Sequence, residues 1–422
     1  MCGIGAAWGK GAGAAVVKIG LWLSHRGHEG VGYAYLENGA VKLGKPPEDT
    51  QAALVHVRYS TSGPYGVSLQ PVYVKYRDLE IAVAFNGTIV NFRQLDNTAS
   101  FDGEALAKSL AREMWERGVV EGVQEVYKRI VGAASLVALT PWGILAVRDP
   151  HGIRPLALSH DIDGVKIASE TVALENGIEL APGIAIMYGD RISTWKIDPK
   201  PMRLCALEYV YFAHPASKLG GRLVADVRKA LGRALAEDET EEGDVVTYVP
   251  ETARHAALGF AKRLGLEVVD AVVKNRFSGR LFIRPPSERK PEEAFYVVRD
   301  FIEKKRVFLI DDSLIRGTNI KAIIWMLKKA GATKVHVRIA SPPIRWPCFY
   351  GMDFQKRTEL VAWGRDVEEV REIIGADTLR YISMEKFRAI LGDVVCYSCF
   401  TGVYPHGIDI DWAERELSRN FK

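Results

Sequence analysis

Two short stretches carry residue types that could do chemistry. The first is MCGIG at residues 1–5, where the thiol of Cys2 is followed by two glycines among apolar residues. A lone cysteine near a chain end ordinarily packs as a small hydrophobe. Loss of Met1 changes its chemistry by leaving Cys2 a free α-amine beside its own sulfur. An amine of pKa about 7.7–8.0 is partly neutral at neutral pH and suits a general base.

The second stretch is FLIDDSLIRGTN at 308–319. An apolar strand ends in two adjacent carboxylates, Asp311 and Asp312, and a small polar loop with Gly317 and Thr318 opens a helix. Backbone amides at that helix start can hold a phosphate, while the carboxylates meet ribose hydroxyls or a hydrated Mg²⁺. A sugar phosphate fits both halves. A pair of Asp residues alone merely caps a turn in roughly half of cases, but the ordered strand, acid pair, Gly-Thr and helix is more specific. With no GK[ST] after a glycine run, it is not a Walker loop.

The remaining cysteines are Cys205, Cys348, Cys396 and Cys399. Five in all are too few and too scattered for a secreted disulfide framework, and they point to chemistry or metal. Cys396 and Cys399 form a CxxC, which by itself fits a redox pair, half of a zinc site or two core thiols. His25 and His28 lie three apart near Glu29, but SHRGHEG holds a loop-forming glycine and no partner ligands, which favours a structural role.

The elements that must position these groups divide near residue 200. Before it, short segments such as ALVHVRYS, IAVAFNG, ASLVALT and GILAVRD are separated by helical stretches near 12–24 and 103–117. These predict packed, largely antiparallel sheets with helices. Two prolines in WKIDPKPMRL break the pattern. After them, DVVTYV, TARHAALGFAKRLG, LEVVDAVV, RVFLID, TNIKAIIWMLKKAG and KVHVRIA alternate strand-like and helix-like character. That alternation predicts a mostly parallel α/β sheet with ligands beyond the carboxyl ends of its strands.

Length and composition set the bounds. A chain of 422 residues exceeds what one core usually organises, and 48% hydrophobic with 26% charged residues is ordinary for a globular protein. The net charge of +4, from 56 basic and 52 acidic side chains, gives no global field for nucleic acid or an anionic membrane. Any anion site must be local. No apolar run approaches the roughly 18 residues of a membrane span, so neither nucleic acid nor membrane is expected as a partner, and a cytoplasmic location is expected.

FLIDDSLIRGTN resembles the signature of the type I phosphoribosyltransferases, and MCGIG resembles the start of a class II glutamine amidotransferase. One family joins the two, glutamine phosphoribosylpyrophosphate amidotransferase. The resemblance runs along nearly the whole chain, through LSHRGHEG, VHVRYSTSG, FNGTIVN, VRDPHGIRPL, ASETVALE, CALEYVYFAHP, VVKNRFSGRLFI, SPPIRWPCFYGMDF and CYSCFTGVYP. It implies an N-terminal Ntn-hydrolase sandwich over residues 2–200 and a Rossmann-like phosphoribosyltransferase domain with a cysteine-bearing segment over 201–422. It also implies the first committed reaction of purine synthesis, transfer of glutamine-derived ammonia to phosphoribosyl pyrophosphate.

The resemblance further implies roles. Cys2 is the nucleophile, Asn86 and Gly87 form the oxyanion hole, Arg58 grips the glutamine α-carboxylate and Asp102 receives its α-ammonium. Taken singly, Asn86-Gly87 reads as a hairpin turn and Arg58 as an ion pair. Asp311, Asp312 and Thr252 stand near ribose and Mg²⁺, and Arg316, Gly317 and Thr318 surround the 5′-phosphate. Lys274, Arg276, Arg280 and Arg284 belong to a lid over pyrophosphate. One branch of the family carries a structural [4Fe–4S] cluster, whose ligands match Cys205, Cys348, Cys396 and Cys399, with zinc as the alternative. Purine nucleotides as inhibitors, a homo-oligomer, and activation of glutaminase by phosphoribosyl pyrophosphate are implied as well. The chain departs from the family pattern at PETA (250–253) in place of PDSG, at AHPAS (213–217) in place of ARPDS, at Phe85 in FNG, and between Arg289 and Arg306, where a lysine-containing motif is missing.

Overall fold

The computed structural model describes residues 2–27, 29–59, 70–275 and 294–418. In the first half, strands β1 (Gly3–Gly9), β2 (Gly30–Glu37), β3 (Ala40–Leu43), β4 (Ala52–Arg58), β5 (Val72–Tyr76), β6 (Leu79–Ile89), β7 (Gly132–Thr140), β8 (Gly143–Val147), β9 (Ala157–Asp161), β10 (Gly164–Ala168), β11 (Ile178–Glu179), β12 (Ile184–Tyr188) and β13 (Ile192–Lys196) build two sheets. One runs β11-β9-β10-β1-β4-β2-β3 and the other β13-β12-β8-β7-β6-β5, with antiparallel pairing in both.

Alternation along β4 explains the layering. Ala52 and Leu54 face the core between the sheets, while Ala53, Val55 and Val57 face a second core beneath helix Ala12–Trp22. Both faces are covered, so ALVHV is apolar almost throughout. On β6, Ala82 and Ala84 join the inter-sheet core, whereas Ile81, Val83 and Phe85 pack under helices Asp102–Arg117 and Val119–Arg129. The result is a four-layer helix, sheet, sheet, helix sandwich.

In the second half, β14 (Leu204–Cys205) precedes a π-helical turn at Glu208–Phe212 and a short hairpin of β15 (Lys218–Leu219) and β16 (Arg222–Leu223). Next come β17 (Val245–Tyr248), β18 (Val272–Lys274), β19 (Phe295–Val297), β20 (Arg306–Asp311), β21 (Lys334–Ile339), β22 (Thr378–Tyr381) and β23 (Val395–Cys396). The sheet β17-β20-β21-β22 is parallel throughout. On β20, Phe308 and Ile310 face helices Val224–Ala236 and Arg254–Leu264, while Val307 and Leu309 face helix Thr318–Lys329. LEVVDAVV behaves differently from the periodicity. Val268 makes only an isolated bridge to Val246, and the chain then enters β18, which pairs antiparallel with β19 in a separate two-stranded ribbon. Local apolar alternation could not distinguish a sheet strand from this ribbon, because partner choice is non-local.

The two halves share one core. Val90, Ala133 and Ile153 from the first pack with Leu204, Cys205, Phe349 and Tyr350 from the second. No helix of the described residues is long and apolar enough to cross a membrane.

Candidate functional site

Cys2 lies just before the central strand β1. The antiparallel register Gly3↔Val57 carries Arg58, at the end of β4, alongside it. Asn86 reaches over from β6 in the other sheet, and its Oδ1 accepts from the Cys2 nitrogen at 3.2 Å. The Cys2 thiol faces the Tyr59 carbonyl at 3.5 Å. Asn86 is completely buried, and its Nδ2 has no hydrogen-bond partner among the described residues. A desolvated, unspent donor beside a thiol is the arrangement an oxyanion needs.

Gly87 follows with φ +148°, and a Cβ there would sit 1.8 Å from the Ala133 carbonyl oxygen. Only glycine lets β6 and β7 approach this closely while the amide stays at the site. Arg58 is buried, with its Nε 3.4 Å from Glu29. Asp102 opens helix Asp102–Arg117, where Oδ2 accepts from Ile89 N at 3.3 Å and Oδ1 from Gly103 N at 3.0 Å. His56, completely buried on the same strand face as Arg58, is pushed down to about 3 by burial and by that guanidinium.

The second cluster forms at the carboxyl end of β20. Asp311 ends the strand, its Oδ1 accepts from Asp312 N at 2.8 Å, and the Thr252 hydroxyl donates to Asp312. Ser313 adds a 2.7 Å bond to the other Asp312 oxygen. Burial holds both carboxyls above the ordinary range, and for Asp311 the neighbouring Asp312 adds to the rise. Two adjacent buried carboxyls, whose ionised forms burial disfavours, suit a divalent cation. Gly317, at φ +80°, turns the chain into helix Thr318–Lys329. Arg316 meets Glu359 at 3.1 Å and the Asp353 carbonyl at 2.8 Å. Lys274 ends β18 and is exposed. Arg276, Arg280, Arg284 and His28 lie outside the described residues.

A cavity of about 450 Å³ lies between the clusters. Its wall includes Tyr59, whose carbonyl faces the Cys2 thiol, and Thr252, whose hydroxyl donates to Asp312. Tyr211, Phe212 and Met352 supply apolar lining between them.

The four remaining cysteines come together in one core from three separate segments, all buried and none in a disulfide. Cys205 on β14 lies in parallel register beside Cys396 on β23. Cys348 Sγ accepts from Tyr350 N at 3.4 Å, and Cys396 Sγ lies 3.3 Å from the Ser398 hydroxyl. Burial, and then their mutual proximity, raises the thiols of Cys205 and Cys399. No group of three or more His, Cys, Asp or Glu among the described residues is arranged around a single metal ion. Four converging free thiols fit a cluster, which spreads its ligands more widely than one ion does.

The sequence reading missed a buried charge network. Arg26 donates from Nε to the Cys2 carbonyl at 3.0 Å and grips Glu208 at 2.8 and 3.0 Å. It also pairs with Glu170, which takes further bonds from Ser217 Oγ at 2.6 Å and from His25 at 2.8 Å. Although burial opposes ionisation, Arg26 holds the Glu170 carboxyl well below its usual range. His25 is thereby tied to this network and also borders the cavity. The signal was present, since LSHRGHEG carries His25 and Arg26, ASETVALE carries Glu170 and CALEY carries Glu208, but nothing in their spacing declares a contact.

A family profile described as a glutamine amidotransferase domain matches residues 1–205. The chain is similar to the amidophosphoribosyltransferase of Pyrococcus horikoshii, with 36% identity covering 98% of this chain and 97% of that protein. It is similar to that of Bacillus subtilis, with 34% identity covering 96% and 94%. Among solved structures, the glutamine phosphoribosylpyrophosphate amidotransferase of Bacillus subtilis complexed with ADP and GMP superposes with a TM-score of 0.84 at 33% identity, covering 96% of this chain and 97% of that one.

Proposed function

The chain belongs to the amidophosphoribosyltransferase family, and from that premise we infer that it moves the amide nitrogen of glutamine onto C1 of phosphoribosyl pyrophosphate. The products are 5-phosphoribosylamine, pyrophosphate and glutamate, in purine biosynthesis. The observation that carries this reading is the single cavity shared by Tyr59, beside the thiol, and Thr252, beside the acid pair.

In this reading residues 2–200 are the glutaminase domain and 201–422 the phosphoribosyltransferase domain. Cys2, freed of Met1, attacks the glutamine amide carbon while its own amine takes the thiol proton and returns it to the departing ammonia. Asn86 Nδ2 and the Gly87 amide receive the oxyanion, Arg58 takes the α-carboxylate and Asp102 the α-ammonium. Water then releases glutamate from the thioester. In bulk water the ammonia would be largely protonated, so an apolar passage past Tyr211, Phe212 and Met352 preserves its lone pair.

At the far end Asp311 and Asp312 orient the ribose, and the Gly317–Thr318 helix start, with Arg316, holds the 5′-phosphate. Lys274 would meet the pyrophosphate. Asp311, Asp312 and Thr252 would hold Mg²⁺, which supplies charge neutralisation for the departing pyrophosphate. Cys205, Cys348, Cys396 and Cys399 would ligate a [4Fe–4S] cluster in preference to zinc. It would brace three chain segments and take no part in the transfer. Purine nucleotides as inhibitors, a homo-oligomeric state and a cytoplasmic location belong to the same reading, the first supported by the ADP and GMP bound to the Bacillus subtilis relative.

The test is pyrophosphate release that depends on both glutamine and phosphoribosyl pyrophosphate. Cys2→Ala should abolish the glutamine-dependent rate and keep the ammonia-dependent one. Loss of both, or of neither, contradicts the assignment.

A further inference from the structure

Glu208 opens the π-helical turn whose Tyr211 and Phe212 line the cavity between the two clusters. Its carboxylate is completely buried and meets two guanidinia, Arg26 at 2.8 and 3.0 Å and Arg154 at 3.4 Å. Each arginine spends its Nε on a backbone carbonyl. Arg26 holds that of Cys2 at 3.0 Å, and Arg154 holds that of Tyr350 at 2.6 Å. The residue after Tyr350, Gly351, seats directly on the oxyanion glycine, since a Cβ on Gly351 would lie 3.1 Å from Gly87 Cα. Arg26 also stacks over the Phe212 ring at 4.6 Å, and that ring stands edge-on to Tyr59 at 6.4 Å.

We propose that Glu208 is a positioning residue for glutaminase chemistry: through Arg26 it sets the nucleophile, and through Arg154 and Gly351 it sets the oxyanion glycine Gly87 on β6, both from the phosphoribosyl side of the molecule. A buried ion cluster is a poor device for stability alone, because desolvation offsets its attraction and apolar packing serves as well. Its value here is geometric, since one carboxylate, through two arginines, fixes the carbonyl of the nucleophile and the carbonyl next to Gly351. The turn that carries Glu208 also carries cavity wall, so a ligand that shifts Tyr211 or Phe212 acts on both halves of the glutaminase site through a few contacts.

This inference rests on the functional reading above, and its test separates the two. In the full chain, three rates are measured for Glu208→Gln: glutamine hydrolysis alone, glutamine hydrolysis with phosphoribosyl pyrophosphate, and ammonia-dependent pyrophosphate release. Misplacement of a nucleophile predicts that kcat for glutamine hydrolysis falls at least about tenfold, with KM for glutamine within about twofold. Stimulation by phosphoribosyl pyrophosphate should fall toward none, while the ammonia-dependent rate persists. A parallel fall of all three rates, or no change in any, overturns the proposal. The unmodified chain's own ammonia-dependent rate is the control for the underlying reading, so its failure is told apart from failure of the clasp. If Glu208→Gln does not fold, the charge-balanced double variant Glu208→Gln with Arg154→Met leaves Arg26 neutralised by Glu170 and is judged by the same pattern.

Discussion

Asn86→Ala removes one side chain that does two separate jobs. Its Oδ1 holds the Cys2 nitrogen at 3.2 Å, and its Nδ2, fully buried, has no partner among the described residues. The first interaction is a ground-state hydrogen bond worth about 0.5–1.5 kcal/mol. The second is already desolvated and waits for charge, so the oxyanion gains it without reorganisation. Loss of one such donor costs about 2.7–4 kcal/mol, or roughly 10²–10³ in kcat. Arg58 and Asp102 are untouched, so KM for glutamine should stay within about twofold. The assay is glutamate release at saturating glutamine, set against ammonia-dependent pyrophosphate release by the same preparation, which should not change. A kcat loss below about tenfold, or an equal fall in the ammonia-dependent rate, would refute the placement of the oxyanion at Asn86.

Three other outcomes follow from the geometry. Gly351→Ala puts a methyl against Gly87 at φ +117°, a conformation costing about 1–3 kcal/mol for a side chain, and should depress glutamine-dependent but not ammonia-dependent turnover. Asp311 and Asp312 are raised by burial, so the metal-free protein binds more protons folded than unfolded. Its stability should therefore fall as pH rises from about 4 through the raised values. Mg²⁺ should restore the melting temperature near pH 8, and Asp311→Asn should flatten the profile; a metal-insensitive melt at that pH would refute this. Anaerobically purified protein should carry about four iron and four sulfide per chain with broad visible absorbance, all lost in Cys205→Ser, whereas zinc without iron would correct the cluster assignment.

Much of the architecture was legible because it rests on local pattern. The doubly covered ALVHV of β4, the strand-to-helix break at Asp311–Thr318 and the amphipathic helix Thr318–Lys329 all declare themselves in composition and period. LEVVDAVV did not, because whether it joins the parallel sheet or pairs with β19 depends on chain far along the sequence. Cys2, Asn86 and Asp311 stood out through their motifs. Tyr59 did not, because it acts through a backbone carbonyl that any residue would supply.

The order of residues by itself determined the chemical inventory: an N-terminal thiol, a paired acid at a strand end and four scattered cysteines. Those follow from side-chain type and short-range spacing. Only the tertiary structure decided that Arg26, Arg154, Glu170 and Glu208 share one dry network between the nucleophile and the cavity wall. Members of that network lie up to 182 residues apart, and a buried charge takes its partner from packing, which no local spacing encodes.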